Sequence, residues 1–243
     1  MAQTFLTAQW RNLIMANYLV EPALLEPYVP PGTELDNWNG RCYASLVGFL
    51  FDRTRVLGLP IPFHQRFEEV NLRFYVRYND AGTWKRGVVF ISEIVPKRAI
   101  TWVANSLYGE RYAAMPMRYQ WEESTVQQQF RYEWRFQGRW NKLEVTTQGT
   151  PQPLLDGSEE QFIAEHYWGY ARRGRHGTTE YEVVHPSWEL RPVVDYQIDC
   201  DIEALYGEAF AAPLAETPSS VFLAIGSEVA VKAGQRLVLD KNP

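Results

Sequence analysis

From Phe67 to Tyr78 the chain alternates with period two: Val70, Leu72, Phe74 and Val76 fall on one side, and Glu69, Asn71, Arg73 and Tyr75 on the other. An extended strand separates the two sets in this way, because successive side chains point to opposite faces of a sheet. The chain is therefore constrained to a sheet with one strongly apolar face. The polar face has two readings. It is either the solvent side of an antiparallel sheet or a row of carboxylate, amide, guanidinium and phenol groups, roughly 7 Å apart, that can converge on one small ligand.

The rest of the sequence extends this β pattern. After an opening segment, 10–20, segments 42–51, 67–78 and 84–95 read as strands, with the Gly/Pro-rich loop Leu57-Gly58-Leu59-Pro60-Ile61-Pro62 between the first two of these. A short helix over 21–26 ends at Tyr28-Val29-Pro30-Pro31-Gly32, and Ile100, Val103, Ala104 and Leu107 recur at helical spacing over 98–108. Phe130, Tyr132, Trp134 and Phe136 alternate with Arg131, Glu133 and Arg135, after which Gln137-Gly138-Arg139 turns the chain toward a strand at 143–146. Ser158 is placed to cap a helix, with Gln161 in the capping-box position. Segments 166–172 and 178–184 form a hairpin around Gly174-Arg175-His176-Gly177, and 193–199, 221–225 and 229–231 supply closing strands. The expected fold class is mainly β: a curved antiparallel sheet or barrel, plugged or covered by a few short helices. With 243 residues, 46% of them hydrophobic, and no Gly/Ser linker or repeat, the expected organisation is a single domain over 1–243.

The turn at Asn79-Asp80-Ala81-Gly82-Thr83 carries a register. Asn suits the start of a type I turn and Gly82 the left-handed position of a three-residue hairpin loop. In that register Arg73 faces Val89, Asn71 faces Ile91 and Glu69 faces Glu93. Two carboxylates across a ladder repel, so Glu69 and Glu93 either bracket a cation, with Arg73 and Arg98 nearest in sequence, or form a coupled acid/base pair. A slip of one residue would send Glu93 to the other face.

Several function classes have little support. A formal net charge of −5 and a pI near 5.5 lack the overall basic footprint of a nucleic-acid binder. The N-terminal residues lack the basic head and apolar run of a signal peptide, and no apolar stretch reaches about 18 residues, so the expected location is cytoplasmic, without a membrane partner. Cys42 and Cys200 are far apart with no CxxC context and read as free thiols. His64, just before the polar strand, is a candidate for titration at a cavity mouth, with a structural loop role as its alternative. His166, His176 and His185 are dispersed with no metal-ligand spacing, and no metal is expected. No GxSxG, GxGxxG or P-loop motif occurs, and no cofactor is called for.

Trp10-Arg11-Asn12-Leu13, the run from Glu69 to Val76, Gly87-Val88-Val89-Phe90-Ile91-Ser92 and His185-Pro186-Ser187-Trp188 together resemble the YqjF-like bacterial proteins, a domain of unknown function. That family is similar in fold to acetoacetate decarboxylase, which implies a curved β-barrel-like core with a small-molecule cavity. The segment from Glu93 through the helix to Met117 looks like the strand-helix-strand unit of the decarboxylase site, where a lysine after the helix forms a Schiff base. The comparable residues here, 112–117, contain no lysine, and Lys97 precedes the helix and reads as a solvated charge. The expectation is a lyase-like or isomerase-like enzyme acting on a small carboxylate or carbonyl compound without a Schiff base. Glu69 and Glu93 would handle protons, Arg73 or Arg98 would anchor a small anionic ligand, and Asn71 or Tyr75 would orient it. Tyr108, Arg111 and Tyr112 are further candidates for binding an anion near Arg98. A non-catalytic ligand-binding protein, a structural polar network and a subunit contact within a homo-oligomer are the alternatives.

Overall fold

The computed structural model describes residues 2–107, 109–124 and 126–237. Four long strands open the chain: β1 (Thr4–Val20), β2 (Cys42–Val56), β3 (Phe67–Asp80) and β4 (Thr83–Val95). Helix α1 (Arg98–Leu107) and the short strand β5 (Tyr112–Ala114) follow, then β6 (Met117–Glu123), β7 (Gln128–Phe136) and β8 (Arg139–Thr147). Helix α2 (Glu159–Ala164) leads to β9 (Trp168–Arg173), β10 (Gly177–Val184) and β11 (Val193–Asp199). Helices α3 (Ile202–Tyr206) and α4 (Glu208–Ala215) precede β12 (Ser220–Lys232).

The pairings of the larger sheet return to their starting point. β12 pairs with β1, β1 with β2, β2 with β3 and β3 with β4, all antiparallel; β4 pairs in parallel with β9, and β9 with β10 and β10 with β12 are again antiparallel. Closure of this kind pairs strand edges that would otherwise recruit other chains. A second sheet, ordered β11-β8-β7-β6, lies outside this circuit. Val70, Leu72, Phe74 and Val76, each 0% exposed, share one apolar core with Phe130, Tyr132 and Trp134 of β7 and Leu143 and Val145 of β8. The apolar face of β3 is thus covered by the second sheet.

Its polar face is covered as well. Glu69, Asn71 and Arg73 are 2%, 1% and 7% exposed, which overturns the solvent-facing alternative. The β3–β4 turn also differs from expectation. Asp80 pairs with Thr83, leaving the two-residue loop Ala81-Gly82, with φ of 50° and 94°. Positive φ at both positions matches the twist of the flanking strands better than the expected three-residue loop. The Asn79 side chain accepts the Gly82 N–H at 2.7 Å and holds the turn. This moves the register by one residue, and a bulge between Leu72 and Arg73, with Ile91 unpaired, moves it by one more. Glu93 therefore faces Asn71, not Glu69, and Arg73 faces Phe90, not Val89. Because the two displacements sum to an even number, Glu69 and Glu93 keep a common face.

Helix α2 begins as its sequence predicts: Ser158 Oγ accepts the Gln161 N–H at 3.1 Å, while the Gln161 side chain reaches back to the N–H of Gly157 at 2.7 Å. Cys42 and Cys200 are free thiols. No helix among the described residues is long and apolar enough to cross a membrane.

Candidate functional site

The closed sheet surrounds a cavity of about 260 Å³. Each strand of the circuit contributes lining, including Trp10 from β1, Phe49 from β2, Glu69 from β3, Glu93 from β4, Trp168 from β9, Tyr181 from β10 and Val231 from β12. Ile100, Val103 and Ala104 of α1 close one side, and Ile61 and His64 line it from the loop before β3.

Three carboxyl groups meet on one wall. β5 pairs in parallel with the end of β4, setting Tyr112 beside Glu93, and the Glu93 N–H donates to the Arg111 carbonyl at 3.0 Å. The Tyr112 hydroxyl donates to Glu69 Oε2 at 3.0 Å, and Asn71 Nδ2 donates to Glu69 Oε1 at 3.0 Å. Tyr181 donates to Glu110 Oε1 at 2.7 Å. Burial pushes the Glu69 carboxyl up to about 7, against the hydrogen bonds from Asn71 and Tyr112 and the charge of Arg73. Burial also raises Glu110 to about 7, aided by the charge of Glu69 and opposed by the Tyr181 hydrogen bond. Glu93 is raised well above the ordinary carboxyl range by burial and then by the charges of Glu110 and Glu69, and its Oε2 is buried with no hydrogen-bond partner among the described residues. The wall thus sets two carboxyls that titrate near neutral pH beside a third, Glu93, whose protonated form is favoured by burial and by its neighbours' charge.

Arg73 supplies the positive charge. Among the described residues its Nη2 reaches the Ile163 carbonyl at 3.5 Å and Met15 Sδ at 3.8 Å, its guanidinium lies 5.7 Å from the centre of the Tyr75 ring, and its buried Nε has no hydrogen-bond partner. A guanidinium presents a fork of donors that matches a carboxylate. Nearby, His166 Nε2 lies 3.2 Å from Asp36 Oδ2, to which Arg86 Nε donates at 2.6 Å. Burial lowers His166 to about 4, with Arg86 and Arg73 adding to the effect, so the ring is neutral at pH 7. Burial works to raise Asp36, but its hydrogen bonds from His166 and Arg86 hold it below the ordinary range. Donation from His166 Nε2 to this carboxylate leaves Nδ1, buried and unpartnered among the described residues, as an acceptor.

Of the residues expected from the sequence, Glu69, Asn71, Arg73 and Glu93 line the cavity together, with His64 also among its lining. Tyr75 does not. Its hydroxyl shares a 2.7 Å hydrogen bond with Ser45, which donates to Asn17 at 2.7 Å, a network inside the sheet. Arg98 sits exposed at the start of α1, outside the lining, because the helix turns its Ile100–Val103–Ala104 face inward. Tyr108 lies outside the described residues, and the exposed Arg111 stacks over Tyr28 at 5.4 Å. Glu110, His166 and Tyr181 were not singled out by pattern. Glu110 follows a helix with no periodicity to flag it, and His166 and Tyr181 come from distant strands and loops. No lysine is among the residues lining the cavity, and Lys97 is not part of its wall.

A family model described as an uncharacterized conserved protein, DUF2071, matches residues 7–228. The uncharacterized protein YqjF of Bacillus subtilis (strain 168) is 36% identical over 84 residues, 34% of this chain, and the match spans about a third (33%) of that protein's length. Among solved structures, acetoacetate decarboxylase from Legionella pneumophila aligns with a TM-score of 0.65 at 12% identity, covering 97% of this chain and 88% of that one. An acetoacetate decarboxylase-like enzyme from Sphingomonas wittichii RW1 gives 0.66 at 13% identity, covering 97% and 94%. The enduracididine biosynthesis enzyme MppR, complexed with pyruvate, gives 0.65 at 13%, covering 98% and 92%. At these identities the likeness to solved structures is one of fold. The chain belongs to the DUF2071 family, is similar to YqjF, and has the mainly β fold of the acetoacetate decarboxylase-like proteins.

Proposed function

We propose that this protein is a lyase-like or isomerase-like enzyme that binds a small carboxylate or carbonyl compound in the cavity and moves a proton on it without forming a Schiff base. The observation that carries this reading is Arg73, a buried guanidinium with an unpartnered Nε beside a carboxyl wall. A buried charge is costly unless paired, so a site that leaves its cation unpaired is suited to an anionic ligand. Arg73 anchors the ligand carboxylate and Asn71 orients it. Glu69 and Glu110 accept a proton near neutral pH, and Glu93 returns one. Pyruvate in the MppR complex supports a keto acid as the type of ligand. The absence of lysine from the lining also favours a second reading, a binding protein without turnover.

Calorimetric titration with pyruvate, followed by NMR detection of solvent deuterium at its methyl group, tests both readings. Arg73→Met is expected to weaken binding at least tenfold in the same titration. Deuterium incorporation that disappears in Glu69→Gln favours the enzyme, whereas binding without exchange favours the second reading. Unchanged binding in both variants would remove β3 from the site.

A further inference from the structure

We infer that the ligand of this cavity is a carboxylate with a hydrophobic tail, such as a medium-chain or aryl-substituted 2-oxo acid, in place of a compact acid such as pyruvate. The inference rests on the anion-binding reading of Arg73 and adds the chemical class of the rest of the molecule.

The polar groups occupy one end of the β2–β3 ladder. Ser45 faces Arg73, Val47 faces Asn71, Phe49 faces Glu69 and Phe51 faces Phe67. One rung beyond Glu69 the wall becomes aromatic: the Phe51 and Phe67 rings stack with centroids 4.6 Å apart. Trp10, which faces Phe51 on β1, lies 5.2 Å from Phe49 and 5.8 Å from Phe51. Opposite sides are completed by Trp188 and by Ile100 and Val103 of α1. From Phe67 to Arg73 the strand advances roughly 20 Å, so an anionic head at Arg73 leaves room for an elongated tail toward Phe67. A compact acid would leave the aromatic end against water, and water between apolar walls finds few of the two to four hydrogen-bond partners it needs.

The test is a calorimetric series of pyruvate, 2-oxobutanoate, 2-oxohexanoate, 2-oxooctanoate and phenylpyruvate. Affinity is expected to rise about fourfold for each added methylene until the cavity is filled. Ile100→Glu, which sets a carboxylate on the tail side of α1, should flatten that rise, and Val103→Ser is the milder substitute if the first variant does not fold. Pyruvate binding as tightly as 2-oxooctanoate overturns the tail while leaving the anion site standing. No binding by any member overturns both. Affinity for 2-oxooctanoate that survives Arg73→Met shows an apolar pocket without an anionic head site and also overturns the inference.

Discussion

Buried Glu69 and Glu93 and half-buried Glu110 form a cluster of carboxyl groups, and much of the protein's response to pH follows from it. The Glu69 and Glu110 carboxyls shift from the ordinary 4.5 to about 7. Between those values the folded chain binds more protons than the unfolded chain. Their contribution to stability is therefore full below about pH 4.5, falls as the pH rises to about 7, and is level above that. Asp36 and Glu133, both held below the ordinary range, act in the opposite sense in more acidic solution, and His166, lowered from 6.5 to about 4, opposes the fall between those two values. Glu69→Gln is expected to reduce the fall and to be more stable than the parent at pH 8 by about 1–2 kcal/mol. Urea denaturation of both proteins at pH 5 and pH 8 checks this, and a Glu69→Gln variant with the same difference between the two pH values as the parent would contradict the shifted Glu69 carboxyl. At this scale half of the wall was legible in the sequence. Glu69, Asn71 and Arg73 declare themselves because they share a strand face, which is a local property. Glu110 and Tyr181 do not, since their 2.7 Å hydrogen bond joins residues 71 positions apart.

Elements place these groups through small deviations from regular structure. The two-residue turn at Ala81-Gly82 and the bulge at Leu72/Arg73 each displace the β3–β4 register by one, and together they return Glu93 to the face of Glu69. A comparable device is Gly169, which faces Tyr181 across the β9–β10 ladder. A Cβ at this position would lie 2.1 Å from the Tyr181 ring, so only glycine lets the ring lean across and reach Glu110. Gly169→Ala is expected to cost about 1–3 kcal/mol, and to cost little when Tyr181 is also alanine. A double-mutant cycle by denaturant unfolding measures the difference, and equal costs in both backgrounds would assign the glycine another role. Most strands and α1 were readable from periodicity, although β6, α3 and α4 were not anticipated. For α3 and α4 the signal was present, since Asp201 caps the start by accepting the Ala204 N–H at 3.3 Å and Ile202, Tyr206, Phe210 and Leu214 recur at helical spacing. The signal was present in β6 as well, where Met117, Tyr119 and Trp121 alternate with Arg118, Gln120 and Glu122, while its pairing with β7 is tertiary information.

Across the whole molecule, β3 is sandwiched: the second sheet lies on its apolar face and the cavity on its polar face. Phe74, fully buried with Trp134 and Tyr132 in the core between the sheets, links the two sheets. Phe74→Ala is expected to cost about 3–5 kcal/mol, with the strand and aromatic signals of both sheets lost in one transition. Circular dichroism in the far and near ultraviolet under urea checks this, and two separate transitions would show that the sheets do not share a core. The amino-acid sequence by itself determined that residues 67–78 form a strand and which side chains share each face, because a strand's period of two follows from local backbone geometry. It also placed Glu69, Asn71 and Arg73 in a row and excluded a lysine after α1. Tertiary structure alone decided that this row faces a cavity and not solvent, and that Glu110, Tyr181 and His166 complete its wall. The physical reason is that burial, and with it the shifted carboxyls and the unpaired guanidinium, depends on what closes over a face, and here that closure is made by strands far away in the chain.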